Sequence, residues 1–394
     1  MFLASSFFSI CRIVWAPRLG KSYPSLTCTK KPINTRFSNI AFATIKEMRS
    51  KYMHTLTVDF WPQTKRENIA SFRIRCLNLK NELSQMKVVT RFYKPWRNPA
   101  DIIILSKRYD EKSISHAMEV KKKFGSKIIL DICDNHFIYD NNSSNTKSNA
   151  KAFKDAIKNV DHVITASEYL KDLVLTECGD SIKVSVMFDL VEMVSNPNLF
   201  AKFKDCKAEI ELNIFAKKLR KENNDRMHRL VWFGNHRGSY HQAGMQDLEC
   251  MKPAIVALSK THPISLTVIS NSVSKFEELI KGWDIPVFYL NWRKNTVSRA
   301  LLMHGISLIP ITPNPFTLAK TANRVTTSLM HGLQVVADEI PSYTDFNDSI
   351  YLNDYEKSLN SLFSGDLKKI EYFNYKLYND RILNSWLSLL SRMK

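Results

Sequence analysis

The chain has 394 residues, 44% hydrophobic and 24% charged, which is material for two cored domains and excludes general disorder. Its formal net charge of +19 calls for an acidic partner: nucleic acid, anionic lipid headgroups or a phosphorylated small molecule. The cations are spread over both halves without zinc-finger, RNA-recognition or basic-heptad patterns, which sets nucleic acid aside; seven scattered cysteines lacking a C-x-x-C pair set aside structural zinc and thiol redox chemistry and fit a reducing compartment.

Between Met1 and Lys46 there is no acidic residue, among many Ser, Thr and Pro. That composition resembles a transit peptide, yet Phe2 to Trp15 is apolar without a basic start or a small-residue cleavage site. Residues 1–52 therefore read as a basic, disordered extension, or as an over-long reading frame with Met53 as the start. No run approaches eighteen apolar residues, so no membrane-spanning helix is expected.

From residue 56 onward, short Val/Ile/Leu-rich runs alternate with helical patterns, the signature of parallel sheets built from βαβ units. Strands are predicted at 56–60, 101–106, 127–132, 160–165 and 182–187, with helices at 113–123, 148–159 and 167–176. The IASFRIR loop at 69–75 offers Arg73 and Arg75; arginine forks suit phosphate or carboxylate groups, and an exposed helix is the other reading. DICDNHFIYD at 131–140 begins at a strand end and carries Asp131, Asp134, Asn135 and His136. Its aspartates lie three apart with no Glu or His partner, so no metal is expected. His136 is a general-base candidate because imidazole titrates near neutrality; a structural hydrogen bonder is the alternative.

Residues 195–228 lose the alternation, become charged and helix-prone, and read as a linker. Strands resume at 229–234, 264–270, 285–290, 305–311, 333–337 and 349–352, and a last helix at 372–391 places Leu383, Trp386, Leu387 and Leu390 on one face. The loop after the first of these strands contains Gly234, Asn235, Arg237, Gly238 and Gly244. Its spacing matches neither a dinucleotide nor a P-loop fingerprint, so its glycines serve either close approach to a phosphate or plain turns. After Pro310, Pro313 and Pro315 come Lys320 and Arg324, four apart at a predicted helix start, where they would share one face beside free backbone N–H groups suited to an anion. The fold class is α/β: two Rossmann-like doubly wound domains (53–194 and 229–365) facing across a cleft, with 366–394 as a closing helix.

Four stretches, VDHVITASEYLKDLV (160–174), RLVWFGN (229–235), ISLIPI (306–311) and AKTANRVTTSLMHGLQVVADEIPSY (319–343), resemble the GT-B nucleotide-sugar glycosyltransferases, in particular the retaining, family-four-like group with a glycosyltransferase group 1 carboxyl domain. The resemblance implies a donor diphosphate against the second domain, an acceptor against the first, a terminal helix crossing back, and hexosyl transfer without metal or cofactor. Donor-binding residues would be Gly234, Asn235, Arg237, Gly238, Lys320, Thr321, Asn323 and Arg324, and acceptor-binding residues Arg73, Arg75, Asp134, Asn135 and His136. His136, Lys320 and Arg324 would carry the catalytic roles. Partners would be a nucleotide-diphosphate sugar and a glycan or lipid-linked acceptor in polysaccharide biosynthesis, with no nucleic acid, in a cytoplasmic protein touching anionic lipid at the inner face of the membrane. One departure stands out: two glutamates that many relatives carry eight apart correspond to Ala319 and Thr327 here, with Asn323 a partial substitute. It favours the alternative of a non-catalytic, degenerate nucleotide-sugar or glycan binding protein. A nicotinamide oxidoreductase or epimerase is disfavoured because neither domain opens with the glycine fingerprint.

Overall fold

The structure, a computed structural model, describes residues 56–138, 144–192, 197–221, 228–236, 243–367 and 373–394. The extension read at 1–52 lies outside these residues, as do Arg237 and Gly238 of the expected donor loop.

The first lobe is a six-stranded parallel sheet, β1 (Thr57–Pro62), β2 (Val89–Phe92), β3 (Ile102–Ser106), β4 (Lys127–Ile132), β5 (His162–Thr165) and β6 (Val184–Val186), in the order β2-β1-β3-β4-β5-β6. Every residue of β3 and all but the first of β4 are buried, as continuous Ile/Leu runs require when helices cover both faces. β2 escapes the sequence pattern: VTRF includes Thr and Arg, which an edge strand with one neighbour tolerates. The helices are α1 (Ala70–Phe72, a π-helical Arg73–Asn78, and Leu79–Gln85), α2 (Glu111–Phe124), α3 (Ser144–Asn159) and α4 (Glu168–Cys178). Residues 70–75 of IASFRIR are thus helical, the second of the two readings, though Arg73 and Arg75 are buried rather than exposed.

Two helices follow, α5 (Leu199–Lys204) and α6 (Cys206–Lys221), in the stretch that reads as a linker. α6 is more than a connection. Its Leu212, Phe215 and Leu219 pack with Val231, Phe233, Ile269 and Leu290, covering part of the second sheet. That sheet is also parallel and six-stranded: β7 (His228–Phe233), β8 (Ile264–Ser270), β9 (Val287–Asn291), β10 (Ile306–Ile309), β11 (Gln334–Ala337) and β12 (Tyr351–Leu352), in the order β12-β11-β10-β7-β8-β9. Its helices are α7 (Lys252–Ser259), α8 (Val273–Leu279), α9 (Val297–Leu301), α10 (Asn323–Met330) and α11 (Tyr355–Phe363).

The last helix, α12 (Tyr375–Met393), returns to the first lobe, where Ile382, Leu383, Trp386 and Leu390 join Val58, Phe60, Leu79 and Leu83 in one core. Each such side chain fully buried contributes about 1.5–3 kcal/mol, so the apolar face fixes where α12 docks. In both sheets the strand order reverses direction once, between β1 and β3 in the first and between β7 and β10 in the second. Connections diverge there to opposite faces, which opens a crevice at the carboxyl ends of the strands.

Candidate active site

At the second crevice, Gly234 directly follows β7. Its N–H donates to the Ile269 carbonyl at 3.1 Å and its carbonyl accepts from Ser270 Oγ at 2.9 Å. A Cβ added here would stand 3.2 Å from the Trp232 ring and 3.8 Å from Arg324 Nη1. Arg324, in the first turn of α10, therefore brings its guanidinium to the end of β7. It also donates to the hydroxyl of buried Tyr343, whose phenol is pushed up by burial with Arg324 opposing the shift. No side chain caps α10. An open helix N-terminus, a guanidinium and a side-chain-free backbone converge on one place, an arrangement suited to a phosphate.

The rim of this crevice depends on Gly244, at φ 106°, where a Cβ would fall 2.7 Å from the Asn235 carbonyl oxygen and 2.9 Å from that of His236. Asp247 ties the rim to the opposite loop, accepting from Gly244 N at 2.8 Å and Thr312 Oγ1 at 2.7 Å. Gly244→Ala is expected to cost about 1–3 kcal/mol through backbone strain, read as a lower urea midpoint at unchanged m-value.

Lys320 departs from its expected place. α10 starts only at Asn323, so Lys320 stays in the preceding loop and does not share a helical face with Arg324. The loop leans onto the first lobe: Asn135 Nδ2 donates to the Pro315 carbonyl at 3.0 Å, Ser167 Oγ to the Ala319 carbonyl at 3.2 Å, and Thr321 Oγ1 to Asp189 at 2.7 Å. Carried along, the Lys320 ammonium sits 2.5 Å from Asp134 Oδ1 and 3.9 Å from the centre of the Phe316 ring. Asp134 accepts from Lys107 as well. Burial by itself would raise the Asp134 carboxyl, but Lys320 and Lys107 outweigh it and hold the group well below the usual carboxylate range. This pairing contributes stability that is complete above the unfolded carboxyl range near pH ~4 and is lost as pH falls towards the folded pKa.

The first-lobe arginines are both paired with carboxylates. Arg73 meets Glu192 through Nε at 2.5 Å and Nη2 at 2.9 Å, and donates to the Glu67 carbonyl. Arg75 is buried, its Nε and Nη2 on Asp131 and its Nη1 on Asp189 and the Met187 carbonyl. Both forks hydrogen-bond first-lobe partners, and the Arg73 guanidinium also lies 5.0 Å from the centre of the Trp292 ring in the second lobe. His136 lies in an aromatic nest, 5.4 Å from Tyr109 and 5.5 Å from Phe153 between ring centres, beside Asp134. Asn323 is partly buried as the first residue of α10, and Asn235 follows Gly234 on the rim.

Three residues at the junction have no sequence reading behind them: Lys107, Asp189 and Tyr343. Lys107 had a signal, a cation immediately after the buried run DIIILS, and its φ of 53° is rare outside glycine. With Gln63, Ser71, Phe72, Arg75 and Asp131 it lines a small crevice at the first sheet's reversal point. Among the described residues, no three or more His, Cys, Asp or Glu side chains group so as to hold a metal ion.

By sequence, the chain matches no protein-family model and no curated protein. Solved structures match it in three dimensions. Alr3699/HepE of Anabaena in complex with UDP-glucose superposes with a TM-score of 0.57 at 12% identity, over 84% of this chain and 100% of that one. WaaG, a glycosyltransferase involved in lipopolysaccharide biosynthesis, gives 0.54 at 11% identity, over 84% of this chain and 99% of that one. The chain has the GT-B fold. This likeness is one of architecture: two parallel-sheet lobes with their strand ends towards a shared junction, and a last helix that returns to the first lobe.

Proposed function

We propose that this GT-B chain is a glycosyltransferase that moves a hexosyl group from a nucleotide-diphosphate sugar to a glycan or lipid-linked acceptor, without metal, at the cytoplasmic face of an anionic membrane. The observation that carries the reading is Arg324 Nη1, 3.8 Å from the Cβ position of Gly234 at the reversal point of the second sheet, in the first turn of a helix without a side-chain cap. HepE, of like fold, binds UDP and UDP-glucose, and a uridine diphosphate is the first donor nucleotide to try.

As the glycosidic carbon–oxygen bond breaks, negative charge grows on the departing diphosphate. Preorganised cations and helix N–H groups meet it at no reorganisation cost. Arg324 and the α10 terminus take the second-lobe side and Lys320 the side facing the first lobe, with Thr321, Asn323, Gly234, Asn235 and, by sequence, Arg237 and Gly238 around them. Asn135, Asp134, His136 and Lys107 would meet the acceptor. Because Lys320 is engaged by Asp134, a donor phosphate competes with that carboxylate for the ammonium. Lys320→Ala is accordingly expected to weaken UDP binding about tenfold, and Asp134→Asn to strengthen it, each measured by calorimetric titration.

A second reading, a nucleotide-sugar binding protein without turnover, is favoured by Ala319, which is fully buried against the first-lobe core where the family resemblance expects a glutamate, and by Thr327 at the second such position. Incubation with a panel of nucleotide sugars, with and without glycan and lipid-linked acceptors, separates the two. Release of nucleoside diphosphate supports transfer; binding across the panel with no release supports the second reading, and no binding at all removes both.

A further inference from the structure

α5 is unusual in what it leaves uncovered. Asn198 caps it, accepting from Ala201 N at 2.9 Å, yet the helix buries none of its residues. Leu199, Phe200 and Phe203 are 84%, 77% and 83% exposed. Each of these side chains forgoes about 1.5–3 kcal/mol of burial, a cost that a covering surface would recover. α6 continues the pattern. Its buried face holds Leu212, Phe215 and Leu219 against the second sheet, while Lys207, Ile210, Ile214, Lys217, Lys218 and Lys221 follow helical three-and-four spacing on the exposed face.

Charge says what would cover this face. Between Leu199 and Lys221 every exposed charged side chain is a Lys or Arg. The acidic residues of the segment, Asp205, Glu209 and Glu211, are partly buried; Glu209 is held by Arg299 and Asp205 accepts from Asn295. We infer that α5 and the exposed face of α6 form the membrane-docking surface, with Phe200, Phe203 and Leu199 entering the acyl boundary of an anionic bilayer and the α6 lysines lying at its headgroups. An apolar centre within a cationic field is the pattern of interfacial helices. A second copy of the chain would set this cationic face against itself under two-fold symmetry, and residues 1–46, which include no acidic residue, have the wrong sign. Nucleic acid would match the charge but not three exposed Leu and Phe side chains.

The inference rests on the membrane contact proposed above and assigns it to one surface, independently of nucleotide binding. The test is flotation of the full chain with vesicles of phosphatidylcholine alone or mixed with phosphatidylserine, alongside UDP titration and thermal melting. The wild-type protein is expected to float with the anionic vesicles only. Phe200→Ser/Phe203→Ser should reduce the bound fraction more than about tenfold, since two aromatic insertions are lost, with melting and UDP affinity unchanged. Lys207→Glu/Lys217→Glu/Lys218→Glu should abolish flotation and make it unrecoverable by lowering salt. If the wild type floats and the Ser variant floats equally, this surface is wrong though membrane contact stands; if the wild type never floats, both fall. Sedimentation showing a dimer that the Ser variant splits would assign the face to self-association and overturn the proposal, while UDP affinity reports separately on the donor site.

Discussion

Replacing Arg75 by alanine is expected to destabilise the protein by about 3–5 kcal/mol, the range for breaking a buried ion pair from one side. The guanidinium is the meeting point of Asp131, from the end of β4, and Asp189, after β6, and both carboxylates are buried. Burial pushes the Asp131 carboxyl up and Arg75 is the main group opposing it. Without Arg75 the folded pKa of Asp131 rises further above its unfolded value. The variant should therefore be least stable at neutral and alkaline pH and regain stability as the pH falls and the carboxyl takes up its proton. Urea denaturation of both proteins across pH provides the measurement. A loss below about 1 kcal/mol at pH 7 would mean that water or a neighbouring cation replaces the guanidinium, and the structural role assigned to Arg75 would not hold.

Arg324→Ala is expected to lower UDP affinity about 10- to 100-fold, the equivalent of the roughly 1.5–3 kcal/mol carried by hydrogen bonds to a charged group. Its guanidinium is partly exposed and packs beside Gly234, so the fold should survive, with a modest loss from the Tyr343 contact. Calorimetric titration of UDP, with circular dichroism to verify folding, decides the matter. A folded Arg324→Ala protein that binds UDP as tightly as the wild type would move the nucleotide away from the β7–β10 crevice and end the proposed donor assignment. Arg324→Lys should recover only part of the affinity, because an ammonium supplies the charge without the planar fork.

Ala319 illustrates how a site can change without a change of fold. The residue is fully buried in the first-lobe core cluster, and its carbonyl accepts from Ser167. A carboxylate there would be desolvated against apolar neighbours, so the small side chain suits the contact between loop and lobe. Thr321, next but one, spends its hydroxyl on Asp189. Much of the loop that the family resemblance assigns to a donor is thus occupied in joining the lobes, and the same bonds must loosen or coexist with any bound nucleotide sugar.

How far the residues alone could lead differs between fold and site. Strands such as DIIILS and KIILDI announce themselves, because a parallel strand covered on both faces needs an unbroken apolar run, and that demand is local to the strand. β2 stayed hidden since an edge strand escapes the demand, and so did the packing of α6 on the second sheet, since the charges of a stretch that reads as a helix-prone linker mask its apolar face. Arg73, Arg75 and Lys320 could be recognised as cations at strand and helix ends, but whether a cation is open to a ligand depends on which carboxylate reaches it. Arg75 finds Asp131 and Asp189 at 56 and 114 residues' distance, and Lys320 finds Asp134 at 186. Sequence periodicity thus determined two parallel-sheet lobes. Only the tertiary structure decided that Arg324 lies at the crevice while Arg73 and Arg75 are paired with carboxylates, because hydrophobic pattern is a property of neighbouring residues whereas charge pairing is set by the packing of distant ones.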